Sequence, residues 1–367
     1  FSTGVVMRTG FLTLLLLLTG AAWGGAEFDA VVDPASPADS TAVNGADVPM
    51  FATITEALAA APVANGRPYR VLIKADTYRE KIRITRPAVH LVGESRGKTI
   101  ISWDDTGSTP GPGGEPLGTW DSATLIIAAP GFRMSNLTVE NAFDYALNVS
   151  LPEDHPDRVQ HMQAVALMTT GSSDRAFFDN VTFRGFQDTL FVDAGRHYFR
   201  NCRIEGHVDF IFGAGQAVFE NCDIVSRNRE NKNPTGYVTA PSTSGAMPYG
   251  LLFLDSRFLK EPGVPAGSVR LGRPWHPGGD MSVEGSAVFI NCFMDDHIGP
   301  EGYSPISSSG PDGNRIWFEV DERSRFFEYG SYGPGGAHSD DRPRLDENQA
   351  GWYSRDQVLN GWDPDSD

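Results

Sequence analysis

The sequence predicts an all-β, single-domain solenoid, and three observations carry that prediction. The first is a repeat in the stretch Asn180 to Gly215, where Asn180-Val181-Thr182-Phe183 is answered 21 residues later by Asn201-Cys202-Arg203-Ile204. The second is its recurrence at Asn136-Leu137-Thr138-Val139, Asn221-Cys222-Asp223-Ile224, Asp255-Ser256-Arg257-Phe258 and Asn291-Cys292-Phe293-Met294. The gaps of 44, 21, 20, 34 and 36 residues are those of single turns interrupted by long loops. The third is composition: 40 glycines and 25 prolines in 367 residues, with no long helical period, suit short strands and many turns. Each turn of a solenoid buries its apolar face only by stacking on its neighbours.

Taken in order, residues 1–26 read as a signal peptide. Arg8 precedes the apolar run Phe11 to Leu18, and the small residues Gly20, Ala21, Ala22, Gly24, Gly25 and Ala26 follow. The run is too short for a membrane span, no Cys follows it to take a lipid anchor, and no second stretch is long enough to cross a bilayer. The protein is expected to be exported, into the medium or a periplasm, and to be soluble and monomeric there. Residues 27–50 read as a polar linker and 51–367 as the solenoid domain.

Thr53 and Glu56 have capping-box spacing at the head of a short helix that Pro62 stops, a suitable N-terminal cap for the coil. Strands are expected at Tyr69 to Ile73, Lys81 to Ile84, Val89 to Val92 and Thr99 to Ser102, then a Gly/Pro-rich loop from Asp104 to Gly118. Asp144 to Arg158, Arg227 to Pro248 and Lys260 to Pro277 read as loops that build a substrate groove. The acidic stretch from Arg344 to Asp367 keeps Trp352, Tyr353, Val358, Leu359 and Trp362, which marks a C-terminal cap.

The recurrent asparagines suit bends that hydrogen-bond along a stack, so Asn136 and Asn180 read as structural although both fit the N-x-Ser/Thr sequon. Cys202 and Cys222 share a repeat position on neighbouring turns, at a spacing a disulfide accepts, and export favours oxidation; a bridge is expected there. Cys292 is expected to be a lone buried thiol. The formal net charge of −17, without a basic stripe, excludes a nucleic-acid partner. A polyanionic ligand would need a local basic or neutral groove.

Asp188 and Asp209 lie eight residues after the Asn of their repeats. Equivalent positions on adjacent turns of a β-coil are about 4.7–4.9 Å apart. Two carboxylates that close cannot both ionise easily, so one serves as an acid and the other as a base or nucleophile. Both sit in apolar sequence, where an unpaired Asp costs several kcal/mol. A bend-capping role is the plainer alternative for either alone. Arg273, rigid in Leu271-Gly272-Arg273-Pro274-Trp275, would break the symmetry of the pair. Gln163 and Gln187 are neutral donors that could hold an oxyanion or simply bond along the stack. Trp275 could stack on a sugar, although a lone Trp is more often core.

These blocks resemble the signatures of the pectinesterases, the pectin methylesterases of plants and microbes. Gly185-Phe186-Gln187-Asp188-Thr189-Leu190, His207-Val208-Asp209-Phe210-Ile211-Phe212-Gly213 and Leu271 to Trp275 are close to the family's patterns. The likeness runs from about Phe51 to Trp362, with the long loops and the Gln163 block nearer the bacterial branch. It implies a right-handed parallel β-helix and a secreted aspartyl esterase acting on methylesterified polygalacturonate. It further implies Asp209 as nucleophile, Asp188 as general acid and base, Gln187 and Gln163 as oxyanion donors and Arg273 as the partner of Asp209. Trp275, Phe212, Thr119 and Val208 would meet substrate. Phe191 stands where plant enzymes commonly have Tyr, and His207 where other residues are common; neither touches the expected chemistry. No cofactor or metal is implied: the eight histidines form no ligand-spaced cluster and no phosphate-binding glycine loop occurs.

A pectin-cleaving glycosidase would also pair carboxylates but gives the two glutamines no role. A non-catalytic carbohydrate-binding solenoid has no need of all five polar residues. A thioesterase-like relative fits poorly without an anchoring Cys.

Overall fold

The computed structural model of the chain describes residues 28–366 apart from 36–39, 44–45 and 231, and these form a parallel β-helix. The expected signal peptide, 1–26, lies outside the described residues. Each turn gives one strand to each of three sheets, of twelve, eight and seven strands, so sheet neighbours are mostly three strands apart in sequence. Ala176–Asp179, Thr182–Arg184 and Leu190–Val192 make one turn; Arg196–Arg200, Arg203–Gly206 and Val208–Gly213 make the next. They pair in register, with Ala176 beside His197, Thr182 beside Arg203 and Leu190 beside Ile211.

The coil closes over stacked rows of like side chains. Phe178, Phe199, Phe219, Phe253 and Phe289 form an internal file with successive ring centroids 4.6, 4.7, 4.7 and 5.1 Å apart. All five are fully buried, and each contributes about 1.5–3 kcal/mol of burial. The bend between first and second strands falls on a left-handed residue in six successive rungs: φ is 59° at Asn136, 55° at Asn180, 54° at Asn201 and Asn221, 47° at Asp255 and 53° at Asn291. Asn and Asp tolerate this region because their short polar side chains bond locally. Asn180 donates through Nδ2 to Asn136 Oδ1 at 2.9 Å, and Asn221 to Asn201 at 2.6 Å.

The residue after each bend points into the core. Cys202, Cys222 and Cys292 occupy that file, and all three are free, buried thiols. The disulfide expected between Cys202 and Cys222 is not formed. Equivalent positions on parallel rungs project their Cβ atoms the same way, whereas a bridge needs them to converge. Each thiol instead donates to a carbonyl of the preceding rung, Cys202 to Phe178 and Cys222 to Phe199, both at 3.4 Å.

The helix Ile54–Ala59 closes the N-terminal end with both capping-box bonds in place, Glu56 N–H to Thr53 Oγ1 at 3.1 Å and Thr53 N–H to Glu56 Oε2 at 3.2 Å. The expected linker needs correcting. Ala30–Val32 is a buried strand paired in parallel with Tyr69–Ile73, and Ser40–Val43 and Ala46–Phe51 form a hairpin beside it. Three apolar residues among turn formers were too short a signal to read as a strand. Two loops carry short helices, Gly118–Asp121 and Tyr145–Ser150. At the other end, Val358, Leu359 and Trp362 pack on Phe177, Tyr198 and Val218 outside the coil, while Trp352 stays 62% exposed. A hairpin of Ile306–Ser309 and Arg315–Phe318 stands apart from the three sheets.

Candidate active site

The site forms where rungs with different registers meet. Gln163, Gln187 and Val208 bridge one another in sequence across three rungs, and Phe191 pairs with Phe212 farther along. The offset of 21 holds on both sides of Asp188 and Asp209, so these two are equivalent positions on adjacent rungs. Both have left-handed backbones, φ 64° and 50°, and both are largely buried at the cleft wall. Asp188 N–H donates to Val208 O at 3.0 Å. On the next rung the register slips by one residue between Val208 and Ile211, a β-bulge at Asp209 and Phe210 that turns the chain out of its regular alternation. Gly206 permits this: a Cβ there would lie 2.2 Å from that of Phe210.

Arg273 reaches Asp209 across the intervening rung. It follows the strand Val269–Gly272 and is fixed by its N–H donating to Thr239 O at 3.1 Å. Its Nε donates to Asp209 Oδ1 at 2.7 Å and Nη2 to Oδ2 at 2.5 Å, a two-point pair with side chains only 18% and 12% exposed. The Tyr237 ring lies 3.9 Å from the guanidinium carbon. Burial opposes the charge on Arg273, but Asp209 more than offsets it and the guanidinium pKa is raised. Asp188 is pushed well above the ordinary carboxyl value, first by burial and then by the charge of Asp209, against a smaller opposing pull from Arg273.

Both carboxyls line a cleft of about 530 Å³ that also takes in Gln163, Gln187, Thr119, Phe212, Trp275 and Arg273. Phe191 and Phe212 stack with centroids 4.1 Å apart, and Trp275 meets Phe212 edge-on at 5.6 Å. Val208 is the exception among the expected substrate residues. It precedes the kink, its side chain is buried away from the cleft lining, and it contributes its carbonyl alone. His207 is buried against Tyr145, ring centroids 4.4 Å apart, and does not line the cleft. Burial, then Arg229 and Arg227, hold its imidazole well below its usual pKa.

The sequence missed Trp120, Tyr237 and the segment Ser304 to Ser307 with Trp317, all of which face the cleft. Trp120 adjoins Thr119 and could have been inferred from that; the others carry no motif. Asp295, Asp296 and His297 approach closely enough to share a cation, a grouping the histidine spacing did not reveal. Lys260 is paired with Asp296 there, and the three lie outside the cleft lining.

Coil and cleft together define a β-helix enzyme whose site is an asymmetric carboxyl pair in an aromatic groove. The pectinesterase family model matches residues 41–340, and the chain belongs to the pectinesterase family. Pectinesterase A of Dickeya dadantii (strain 3937) is 41% identical over 371 residues, covering 97% of this chain and 98% of that one. A pectin methylesterase crystallised with a hexasaccharide superposes with a TM-score of 0.85 at 41% identity, over 92% of this chain and 99% of that one. The enzyme from Erwinia chrysanthemi gives 0.86 at 42% identity, with the same coverage.

Proposed function

We propose that this pectinesterase removes methyl esters from pectin by dividing the work between Asp209 and Asp188. Asp209, clasped at both oxygens by Arg273, attacks the carbonyl carbon of a methylated galacturonate. The Gln163 and Gln187 amides donate to the oxygen that becomes negative. As the tetrahedral centre collapses, the C–O bond to the methoxy group breaks and the departing oxygen takes the proton of Asp188, leaving as methanol. An acyl anhydride on Asp209 remains. Asp188, now a carboxylate, takes a proton from water, whose oxygen attacks the anhydride. Galacturonate departs and both aspartates return to their starting states.

The observation that carries this reading is the asymmetry of the pair: one carboxyl is clasped by a guanidinium, and burial and its neighbour's charge raise the other well above the ordinary carboxyl value. The hexasaccharide bound to the relative at 41% identity supports a polymeric substrate. Trp275, Phe212 and Thr119 contact that substrate. Every residue in these roles comes from one chain, in keeping with a monomer. We also place the enzyme outside the cytoplasm, on the strength of the apolar run Phe11 to Leu18 with small residues after it. No helix among the described residues is long and apolar enough to cross a membrane.

The test is an assay of methanol and new reducing ends from methylated polygalacturonate. Methanol without reducing ends is expected; reducing ends would select a glycosidase, and neither product a binding module.

A further inference from the structure

The hairpin of Ile306–Ser309 and Arg315–Phe318 belongs to none of the three sheets, yet it forms one wall of the cleft. Its position is not left to the loops that join it. Ile306 pairs with Phe318 and Ser307 with Trp317. Strand alternation therefore puts Phe318 and Trp317 on opposite faces. Phe318 is 4% exposed and stacks on His276, ring centroids 3.8 Å apart and planes within 5°. His276 follows Trp275 in the segment that carries Arg273, so the stack ties the hairpin to the segment whose guanidinium grips Asp209. Trp317, by contrast, is 61% exposed. The chain supplies a rigid mount and leaves the indole uncovered, facing the cleft beside Ser307.

The charge of the cleft explains what such an indole is for. Among the described residues that line the cleft Arg273 is the one cation, and Asp209 occupies its two-point donor edge. No spare cation is left there to hold a sugar by its carboxyl, so a ring of the polymer has to be held by its apolar C–H face. We propose that Trp317 is a specificity-determining residue, the stacking platform for a methylated galacturonate ring of the substrate. A second half-exposed indole, Trp120, reaches the same cleft from the helix Gly118–Asp121 and rests on Phe191 at 4.4 Å. Two indoles from segments almost 200 residues apart in the chain thus border the groove around the reacting ester.

This proposal rests on the pectin methylesterase reading, and its test separates the two. Methanol release is followed against the concentration of highly methylated polygalacturonate for the full chain, Trp317→Ala and Trp317→Phe. The Ala variant should raise KM roughly 3- to 10-fold and leave kcat within about twofold, the Phe variant should lie between it and the parent, and Tm should stay level. An unchanged KM, or a fall in kcat at constant KM, would overturn the platform. Should the parent chain release no methanol, the functional reading fails instead. Titration calorimetry of the same polymer into parent and Trp317→Ala then decides the platform alone: weaker binding by the variant supports it, and equal binding overturns it.

Discussion

Arg273 grips Asp209 through both its Nε and Nη2 edges, at 2.7 and 2.5 Å, and forms no such pair with Asp188. The fork geometry matters as much as the charge, because a planar guanidinium fixes both oxygens of the carboxylate at once. A lysine would keep the charge and lose the second bond. Arg273→Lys should therefore fold and bind substrate while kcat falls by roughly 10- to 100-fold. Steady-state methanol release measures it, and a variant within threefold of the parent would remove Arg273 from the proposed chemistry.

Asp209→Asn tests the nucleophile directly. The amide keeps the left-handed backbone, which Asn tolerates as well as Asp, and can still accept one bond from Arg273. The guanidinium loses its counter-charge, so stability should fall by about 1–3 kcal/mol, less than for a pair shut fully inside. Methanol release should fall at least 10³-fold or so, with circular dichroism and polymer binding retained. Near-normal turnover would refute the assignment.

Asp188 links pH to both stability and rate. Its native carboxyl is raised, chiefly by burial and then by Asp209, so the folded chain keeps a proton that the unfolded chain releases above about pH 4. Stability contributed at this position is therefore lost as pH climbs from the unfolded value through the raised native one. Asp188→Asn removes that titration. Its Tm should match the parent below about pH 4 and exceed it by roughly 2–4 °C near neutrality, while the proposed chemistry expects the variant to release no methanol. In the parent, kcat/KM should decline on the alkaline side as Asp188 loses its proton. A gap in Tm that widened toward acid would contradict the raised carboxyl.

The three thiols give a chemical check on the core. Burial pushes Cys292 up to about 12 and Cys222 well above the ordinary thiol value, the latter with help from Cys202. All three thiols are buried out of reach, so none should react with an aromatic disulfide reagent in the native state. Unfolding in denaturant should release three equivalents, and a reductant should leave the native Tm unchanged. One equivalent in place of three would restore the bridge between Cys202 and Cys222.

Much of this was legible in the chain because a solenoid writes its period into the sequence. The offset shared by Asn180 and Asn201 is the same one that sets Asp188 beside Asp209. The capping box at Thr53 and Glu56 was equally local. What stayed hidden depends on direction rather than spacing. Cys202 and Cys222 have the right separation but parallel side chains. Val208 sits next to Asp209, yet alternation carries its side chain elsewhere. Tyr237 meets Arg273 across two neighbouring rungs, a ring-on-guanidinium contact that no repeat position marks. The hairpin bearing Trp317 lies outside the repeat altogether, so periodicity could not announce it.

The bend ladder offers the last prediction, on stability alone. Asn201 has φ 54°, accepts from Asn221 at 2.6 Å and donates to Asp179 at 3.1 Å. Replacement by Ala imposes about 1–2 kcal/mol for a left-handed Cβ and loses two exposed hydrogen bonds of small net worth, so the total should be about 2 kcal/mol. Asn201→Gly loses the same bonds but meets no Cβ penalty, at the expense of greater freedom in the unfolded chain. The order of stability should therefore be parent, then Gly, then Ala, with Gly recovering roughly 1 kcal/mol of the loss. Denaturant unfolding of the three proteins decides it. If Ala equalled or surpassed Gly, side-chain bonding rather than backbone conformation would be what selects asparagine at these bends.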